Sequence, residues 1–438
     1  MQFPRVEDRE LTSSLEELGR LVSTLGYQVV AQVTQVRAHI EAAAVIGEGK
    51  LQELAALTGG SGNATATVQR KKTKIQRKRE EEESEDDDSV EEDDDDSTPR
   101  LVDLVAVDHD ISPSQARNLE RATGVQVFDR TGVIIEIFHR HAKSREARLQ
   151  VEIARLAYTA PRLRESPGGK ERQAGRGAGE AALELDRRKI RDRIAELKNE
   201  LEAVQRDNDN RRAHRRQARR IALVGYTNAG KSSLMRALTA SEVYVEDKLF
   251  ATLDTTVRAL QPEAKPRILV SDTVGFIKKL PHDLVASFKS TLDEALEAAH
   301  LLHVVDASDP SWEAQLEVTR DVLTEIGAGE VPSTLVMNKI DLVPEVELEK
   351  LRVRLPDAWF VSARNTAHVA TVRERIIAIF EAAYEEIELT VPYDRQNVIS
   401  DMHTSGRVVA ESYEEQGVVV RFRGDAEAIG RIRSRLER

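Results

Sequence analysis

Apolar and polar positions divide the chain into stretches of two periods. Between residues 26 and 36 the apolar residues mostly alternate (Tyr27, Val29, Ala31, Val33), which predicts a half-buried strand. After Gly47-Glu48-Gly49-Lys50 comes a short helical signal, closed by Gly59-Gly60-Ser61-Gly62-Asn63, where a loop is expected. Structure resumes with a strand over 101–107, a helix over 113–123, a second strand at Gln126-Val127-Phe128 and an apolar segment over 133–138. That alternation predicts a small α/β domain. From residue 142 the period turns helical, with Leu149, Ile153 and Leu156 spaced by four and three, until Pro161 interrupts it. A second, longer helix opens near Glu180, and its Ile190, Ile194, Leu197, Leu201 and Val204 form an a/d seam that needs a partner. The earlier helix is the expected partner, in an antiparallel pair. Beyond it, apolar strands at 221–224, 268–270, 301–305 and 334–337 alternate with helical stretches such as 312–326, the pattern of a mostly parallel sheet. The last 50-odd residues read as strand (388–391), helix (399–405), strand (417–422) and helix (426–436), a small α+β domain.

Composition narrows the chemistry. There is no cysteine among the 438 residues, which removes disulfides, thiolate metal ligands and cysteine nucleophiles. At 40% hydrophobic and 32% charged the chain suits a soluble protein of several cores. Residues 1–21 hold acidic side chains and no apolar signal region, and no stretch reaches the length of a membrane span, so a cytoplasmic location is expected. The net charge of −12 is concentrated: the run 80–96 holds fourteen acidic residues, and without them the remainder carries +2. With the basic block Arg70-Lys71-Lys72 before it, that run predicts a disordered insertion over 61–99. Elsewhere arginines gather. Residues 168–179 form a glycine-arginine loop at the tip of the helical pair, and Arg211, Arg212, Arg215, Arg216, Arg219 and Arg220 precede the next strand. Either group is able to meet a polyanion.

The sharpest signal begins at the first of the parallel strands. It runs into Gly225-Tyr226-Thr227-Asn228-Ala229-Gly230-Lys231-Ser232, followed by Ser233, the pattern of a phosphate-binding loop opening a helix. Its chemistry needs glycines so that backbone N–H groups turn inward around phosphates, a lysine for the β and γ oxygens, and a serine hydroxyl for Mg²⁺. The next strand ends in Asp272-Thr273-Val274-Gly275, where the aspartate holds the metal through water and Gly275 lets a backbone N–H approach the γ-phosphate. Strand 334–337 ends in Asn338-Lys339-Ile340-Asp341. Asp341 accepts from guanine N1–H and the 2-amino group, Lys339 lies along the ring and Asn338 braces the phosphate loop. Ser362-Ala363-Arg364 then offers the Ala363 N–H to guanine O6. Between the first two motifs lies Leu249-Phe250-Ala251-Thr252-Leu253-Asp254-Thr255-Thr256, with three threonines able to complete a magnesium shell; spacing does not choose among them. The position after Gly275 holds Phe276, which cannot orient an attacking water, so hydrolysis is expected to be slow alone and stimulated by a partner.

These residues resemble the HflX family of translational GTPases within the Obg-related group. The resemblance rests on the phosphate loop, Phe250-Ala251-Thr252-Leu253-Asp254 and Asp272-Thr273-Val274-Gly275-Phe276. N-terminal matches are Gly47-Glu48-Gly49-Lys50, Arg117-Asn118-Leu119-Glu120 and Val127-Phe128-Asp129-Arg130-Thr131-Gly132. It covers nearly everything but 61–99. The resemblance implies Ser232 and Thr252 as direct Mg²⁺ ligands beside Asp272, with Lys231, Thr252 and Gly275 in the catalytic machinery. It implies GTP and GDP as nucleotide ligands and a monomer. It also implies binding to the large ribosomal subunit and its rRNA, with splitting of stalled or idle ribosomes. One departure stands out: where the family shows G-P-G-E-T-Q-L-E, this chain has Gly177-Ala178-Gly179-Glu180-Ala181-Ala182-Leu183-Glu184. Some members bind ATP through the N-terminal domain; Lys50 is the one phosphate-like hint, and a turn is the simpler reading. The expected organisation is an α/β multidomain chain. It comprises an N-terminal α/β domain (1–141) with its insertion, a helical hairpin (142–218), a P-loop GTPase domain (219–384) and an α+β C-terminal domain (385–438). The competing reading keeps the GTPase but docks a protein partner, without RNA, on the helical pair.

Overall fold

A computed structural model describes residues 8–36, 44–63, 102–163, 178–213, 219–240, 249–250, 256–264, 266–278 and 294–437. Nearly all of the charged insertion, the glycine-arginine tip before Ala178, Arg215 and Arg216, and Ala251, Thr252, Leu253 and Asp254 lie outside those residues. The chain divides into two units, Met1–Glu136 with Tyr158–Gly169, and Ile137–Ala157 with Lys170–Arg438.

In the first unit, helices α1 (Asp8–Thr24) and α2 (Glu48–Thr58) precede strand β1 (Leu104–Val107), α3 (Pro113–Thr123), β2 (Gln126–Asp129) and the start of α4 (Arg130–His141). The two strands pair in parallel, Val105 opposite Val127. Helix α3 begins where the sequence says it should: Pro113 fills the first turn and Ser112 and Gln115 form a reciprocal capping box. Leu51, Leu119, Val105 and Val127 make the core. Beside it, charges are buried in pairs. Arg130, 1% exposed, meets Asp108 at 2.6 Å and also Glu17, and Ser14 donates to the same Asp108 at 2.5 Å. Asp129 accepts from Tyr158 Oη (2.7 Å), Arg162 (2.6 Å) and the Gly132 N–H (2.8 Å). A Cβ at Gly132 would fall 2.5 Å from Tyr158 Oη, so that position demands glycine.

Two expectations are corrected here. Residues 27–35 form no strand, and Val29 and Val30 are exposed. Alternation alone supplies no ladder partner, and without one the pattern is only a string of small apolar side chains. Lys50 sits not in a turn but in the first turn of α2, its ammonium 2.6 Å from Glu53.

In the second unit, α5 (Arg145–Thr159) and α6 (Ala178–Ala213) share the predicted seam, with Leu149, Ile153 and Leu197 buried between Leu156, Ile194, Leu201 and Val204. A six-stranded sheet follows. Its strands are β3 (Arg219–Val224), β4 (Thr256–Ala259), β5 (Ile268–Asp272), β6 (His300–Asp306), β7 (Ser333–Asn338) and β8 (Trp359–Phe360), in the order β4-β5-β3-β6-β7-β8. All pairings are parallel except β4 with β5. Helices α7 (Lys231–Thr239) and α10 (Thr366–Glu381) cover one face, where Leu234, Leu238, Val372 and Ile376 pack on Ile221, Leu223 and Val304. Helix α8 (Trp312–Glu325) covers part of the other face and α9 (Glu345–Arg354) packs near β7. The chain closes with β9 (Glu385–Val391), α11 (Asn397–Ser405), β10 (Arg407–Glu414), β11 (Gly417–Gly424) and α12 (Ala426–Glu437). Its sheet is antiparallel, in the order β10-β11-β9, over Val418, Val420, Phe422 and Ile429.

Two of the six clustered arginines prove structural. Arg219 lies in β3, stacks on Tyr384 and Phe380 and pairs with Asp425 at 2.8 Å, while Arg220 pairs with Glu297. Being inside a strand between a sheet and its neighbours, they are used up before any polyanion arrives.

Candidate guanine-nucleotide site

Parallel strands that feed helices leave their carboxyl ends as a common edge, and ligands settle there. The four motifs found in sequence come to that edge: Gly225 follows β3, Asp272 ends β5, Asn338 ends β7 and Ser362 follows β8. The loop from Gly225 to Gly230 is shaped by backbone that other residues resist. Gly225 has φ 149°, and a Cβ there would lie 2.1 Å from the Val304 carbonyl oxygen of β6. Gly230 has φ 89°, and its Cβ would lie 2.3 Å from Asn338 Nδ2. Between them Asn228 takes φ 60°, a conformation asparagine tolerates better than most side chains.

Asn338 is the cross-brace. Buried at 1% exposure, it donates through Nδ2 to Ala229 O (2.9 Å) and accepts through Oδ1 from the Ala363 N–H (3.2 Å). One side chain thus joins the phosphate loop to the loop after β8. The Ala363 N–H assigned to guanine O6 is therefore engaged by Asn338 in this conformation. Ser362, 3% exposed, donates its N–H to His368 Nδ1 (3.1 Å) and accepts from the Arg364 N–H (3.3 Å). Lys339, at φ 60°, pairs with Asp306 at 2.8 Å, and Asp341 is exposed in the short 3₁₀ turn Ile340–Leu342.

The phosphate end is drier. Lys231, 6% exposed, donates from Nζ to the Gly225 and Tyr226 carbonyls at 3.0 and 2.8 Å. Burial pushes its pKa down to about 8 against the opposing pull of Asp272. Ser232 donates to Asp272 Oδ2 at 2.6 Å, and Asp272 is fully buried. Ser233, in the first turn of α7, is half-buried. Thr273 donates to the Leu223 carbonyl at 2.8 Å and Val274 is buried. Gly275 lies against the phosphate loop: a Cβ would stand 2.8 Å from Thr227 Cα and 3.0 Å from Lys231 Nζ. Phe276 continues the contact through its backbone, accepting from the Thr227 N–H (2.7 Å) and donating to Gly225 O (3.2 Å). The ring of Phe276 is 2% exposed and packs with Ala222, Val224 and Leu301, so it presents no polar group to the site. Tyr226 Oη accepts from the Lys278 N–H at 2.7 Å, a second tie between the two loops.

Two residues at this edge carry no sequence motif. Asp306 ends β6 as Asp272 ends β5, and that shared strand-end position was the available signal for its pairing with Lys339. Under the same edge His303 is buried at 4% exposure, and burial, with Arg320 and Lys231 nearby, drives its imidazole down to about 3. Of the three candidate threonines, Thr256 is the one described, and it opens β4 directly opposite Asp272. Phe250 is described and buried; Ala251, Thr252, Leu253 and Asp254 are not placed.

Magnesium is tested by the donor set. Two hard oxygens, Ser232 Oγ and Asp272 Oδ2, meet at the start of α7, and among the described residues no cluster of three His, Asp or Glu side chains is present. Such a sparse set suits an ion completed by phosphate oxygens and water, as magnesium is.

Comparison with known proteins agrees with the geometry. Residues 220–339 match a family profile described as "50S ribosome-binding GTPase". Residues 141–215 match "GTP-binding GTPase Middle Region", and 12–87 and 63–139 match "GTP-binding GTPase N-terminal". A protein of Gluconacetobacter diazotrophicus named GTPase HflX is 60% identical over all of this chain and 96% of its own length. Its namesake in Caldanaerobacter subterraneus is 37% identical over 98% of this chain and 90% of its own. That of Escherichia coli is 34% identical over 94% and 89%.

Proposed function

Since the chain belongs to the GTPase HflX family and is a GTP hydrolase, we propose that it is a magnesium-dependent one that binds the large ribosomal subunit and splits or rescues stalled and idle ribosomes. The observation that carries the ribosomal part is the match of the nucleotide-binding sheet to a 50S ribosome-binding profile over 220–339. The sequence adds basic groups: the glycine-arginine run over 168–179 and Arg211 and Arg212 carry guanidinium donors of the kind that bind rRNA phosphates.

In this reading the phosphate loop takes the nucleotide from its own carbonyls. Lys231 leaves Gly225 and Tyr226 for the β and γ oxygens, where the ammonium regains a full counter-charge. Backbone N–H groups from Gly225, Tyr226, Thr227, Asn228, Ala229 and Gly230, with Lys231, Ser232 and Ser233 at the helix start, surround the phosphates. Ser232 and Asp272, with Thr252 as the resemblance implies, would hold a magnesium ion, which would supply positive charge to the phosphate oxygens. Gly275 approaches the γ-phosphate, and the Phe276 carbonyl must release the Thr227 N–H for it to do so. Phe250, Ala251, Leu253 and Asp254 flank Thr252 in sequence and are assigned with it to the nucleotide site, while Thr273 and Val274 carry the strand end into Gly275. At the other end Asp341 reads the guanine edge, Lys339 with Ile340 covers the ring, and Ser362, Ala363 and Arg364 close over O6. The Ala363 N–H then leaves Asn338 for the base.

Cosedimentation tests the reading: the protein with isolated large subunits, in a non-hydrolysable GTP analogue or GDP, at low and high salt. Binding that needs the analogue and weakens with salt is expected. Equal binding with GDP, or none, contradicts it and favours docking of a protein partner on the helical pair.

A further inference from the structure

The phosphate loop and the turn after β5 are stitched together by backbone. Tyr226 and Phe276 form a parallel bridge, the Thr227 N–H donates to the Phe276 carbonyl (2.7 Å) and the Phe276 N–H donates to the Gly225 carbonyl (3.2 Å). These bonds hold the Thr227 side chain against Gly275. The point where a Cβ on Gly275 would stand lies 2.8 Å from Thr227 Cα, 2.8 Å from Thr227 Cγ2 and 3.0 Å from Lys231 Nζ. Glycine carries no atom there, so the threonine side chain and the lysine ammonium converge on one place. The Thr227 hydroxyl branches from the same carbon as that methyl group.

Neighbouring hydroxyls are already engaged: Ser232 Oγ donates to Asp272, and Thr273 Oγ1 to the Leu223 carbonyl. Thr227 Oγ1 differs. It is buried, in a residue 6% exposed, and has no hydrogen-bond partner among the described residues. A buried hydroxyl left unpaired destabilises a fold, and it calls for an acceptor from outside the chain. The groups around it say which. Lys231 serves the β and γ oxygens and Gly275 approaches the γ-phosphate, so the acceptor that comes to this place is a γ-phosphoryl oxygen, to which a hydroxyl makes a charge-assisted bond. GDP brings no such oxygen.

We propose, resting on the phosphate-loop reading above, that Thr227 is a specificity-determining residue: its hydroxyl donates to a γ-phosphoryl oxygen and so distinguishes GTP from GDP. The hydroxyl is unpaired in the nucleotide-free and GDP-bound protein and paired in the GTP-bound one. One group therefore lowers the stability of the empty site and raises its preference for the triphosphate. Phe276 contributes only its backbone to this arrangement, its ring being turned into the core.

The test uses the full chain and four variants. Thr227→Val removes the hydroxyl and keeps the branched shape, Thr227→Ala is a second variant without it, Thr227→Ser keeps the hydroxyl and removes the methyl group, and Lys231→Ala disables the phosphate loop. Affinities for a fluorescent non-hydrolysable GTP analogue and for fluorescent GDP are measured at fixed magnesium, beside kcat/KM for GTP and the unfolding temperature without nucleotide. A hydrogen bond to a charged acceptor corresponds to about tenfold or more in affinity. Thr227→Val and Thr227→Ala are expected to lower analogue affinity and kcat/KM by that factor with GDP affinity unchanged, and Thr227→Ser to recover most of the loss. Thr227→Val should also melt no lower than the parent protein, because it removes an unpaired buried hydroxyl. If Thr227→Val keeps its preference for the analogue, loses GDP affinity in the same proportion, or melts well below the parent, the inference falls. It falls too if Thr227→Ser is as poor as Thr227→Val, since the methyl contact with Gly275 would then be what matters. Lys231→Ala binding both nucleotides as the parent does would overturn the phosphate-loop reading itself.

Discussion

Lys231 is the residue on which most of the site's energetics turn, because it is a buried cation held only by carbonyl dipoles and a nearby carboxylate. Its pKa in the folded protein, about 8, lies below the ordinary lysine value of 10.5. Between these two values the unfolded chain binds the proton and the folded one does not, so the contribution of this group to stability rises as pH climbs from 8 towards 10.5. Nucleotide binding runs the other way. Phosphate restores the charged form, so binding above pH 8 takes up a proton and should weaken by about tenfold per unit. Titration calorimetry at pH 9 in two buffers of different ionisation enthalpy should report that uptake, and a Lys231→Ala variant should lack it. His303 is held neutral down to about pH 3, so an activity change between pH 5 and 7 has another origin. At the base end, Asp341→Asn should exchange ligand preference. An amide presents a donor where guanine has its own donors, and xanthine, with a 2-oxo group, accepts it. Hydrolysis assays should show GTP turnover falling by about 10²-fold or more and xanthosine triphosphate turnover appearing.

At the scale of elements, the strand–loop–helix unit from β3 through α7 is held by Asn338 passing through the space left by Gly230. A Gly230→Ala substitution puts a Cβ 2.3 Å from that amide at a positive φ and should lower both nucleotide affinity and the unfolding temperature. In the helical pair Leu197, 1% exposed, should cost about 3 kcal/mol on truncation to alanine, read by denaturant unfolding. These elements were legible because their apolar residues repeat with the period of a buried strand or a two-helix seam, and because four motifs fell at strand ends. Two strands that escaped share a different character. Strand β4 (Thr-Val-Arg-Ala) and strand β10 (Arg-Val-Val-Ala-Glu-Ser-Tyr-Glu) are sheet edges with little burial on either face, so nothing in their pattern separates them from loop. Residues 27–35 are the converse, a strand-like alternation that joins no sheet among the described residues. Within the site, the residue types of the motifs named the chemistry, but Asn338 holding Ala363 and Phe276 clamping Thr227 depend on chain segments far apart in sequence.

At the scale of the whole molecule, the nucleotide-binding sheet is tied to the C-terminal sheet through Arg219, which stacks on Phe380 and Tyr384 and pairs with Asp425. Arg219→Ala should destabilise that junction by about 1 kcal/mol, seen as a lowered unfolding temperature with kcat retained. Phe276, its ring in the core rather than in the site, leaves the isolated protein without a water-orienting side chain at that position. In the function proposed above, a docked partner completes the catalyst. It is tested by GTP hydrolysis with and without isolated large ribosomal subunits, at two salt concentrations, with Lys231→Ala as control. Strong stimulation that fades at high salt and is absent in the control is the predicted result; turnover that is unchanged by the subunits would contradict the account and leave the nucleotide site standing without its ribosomal partner.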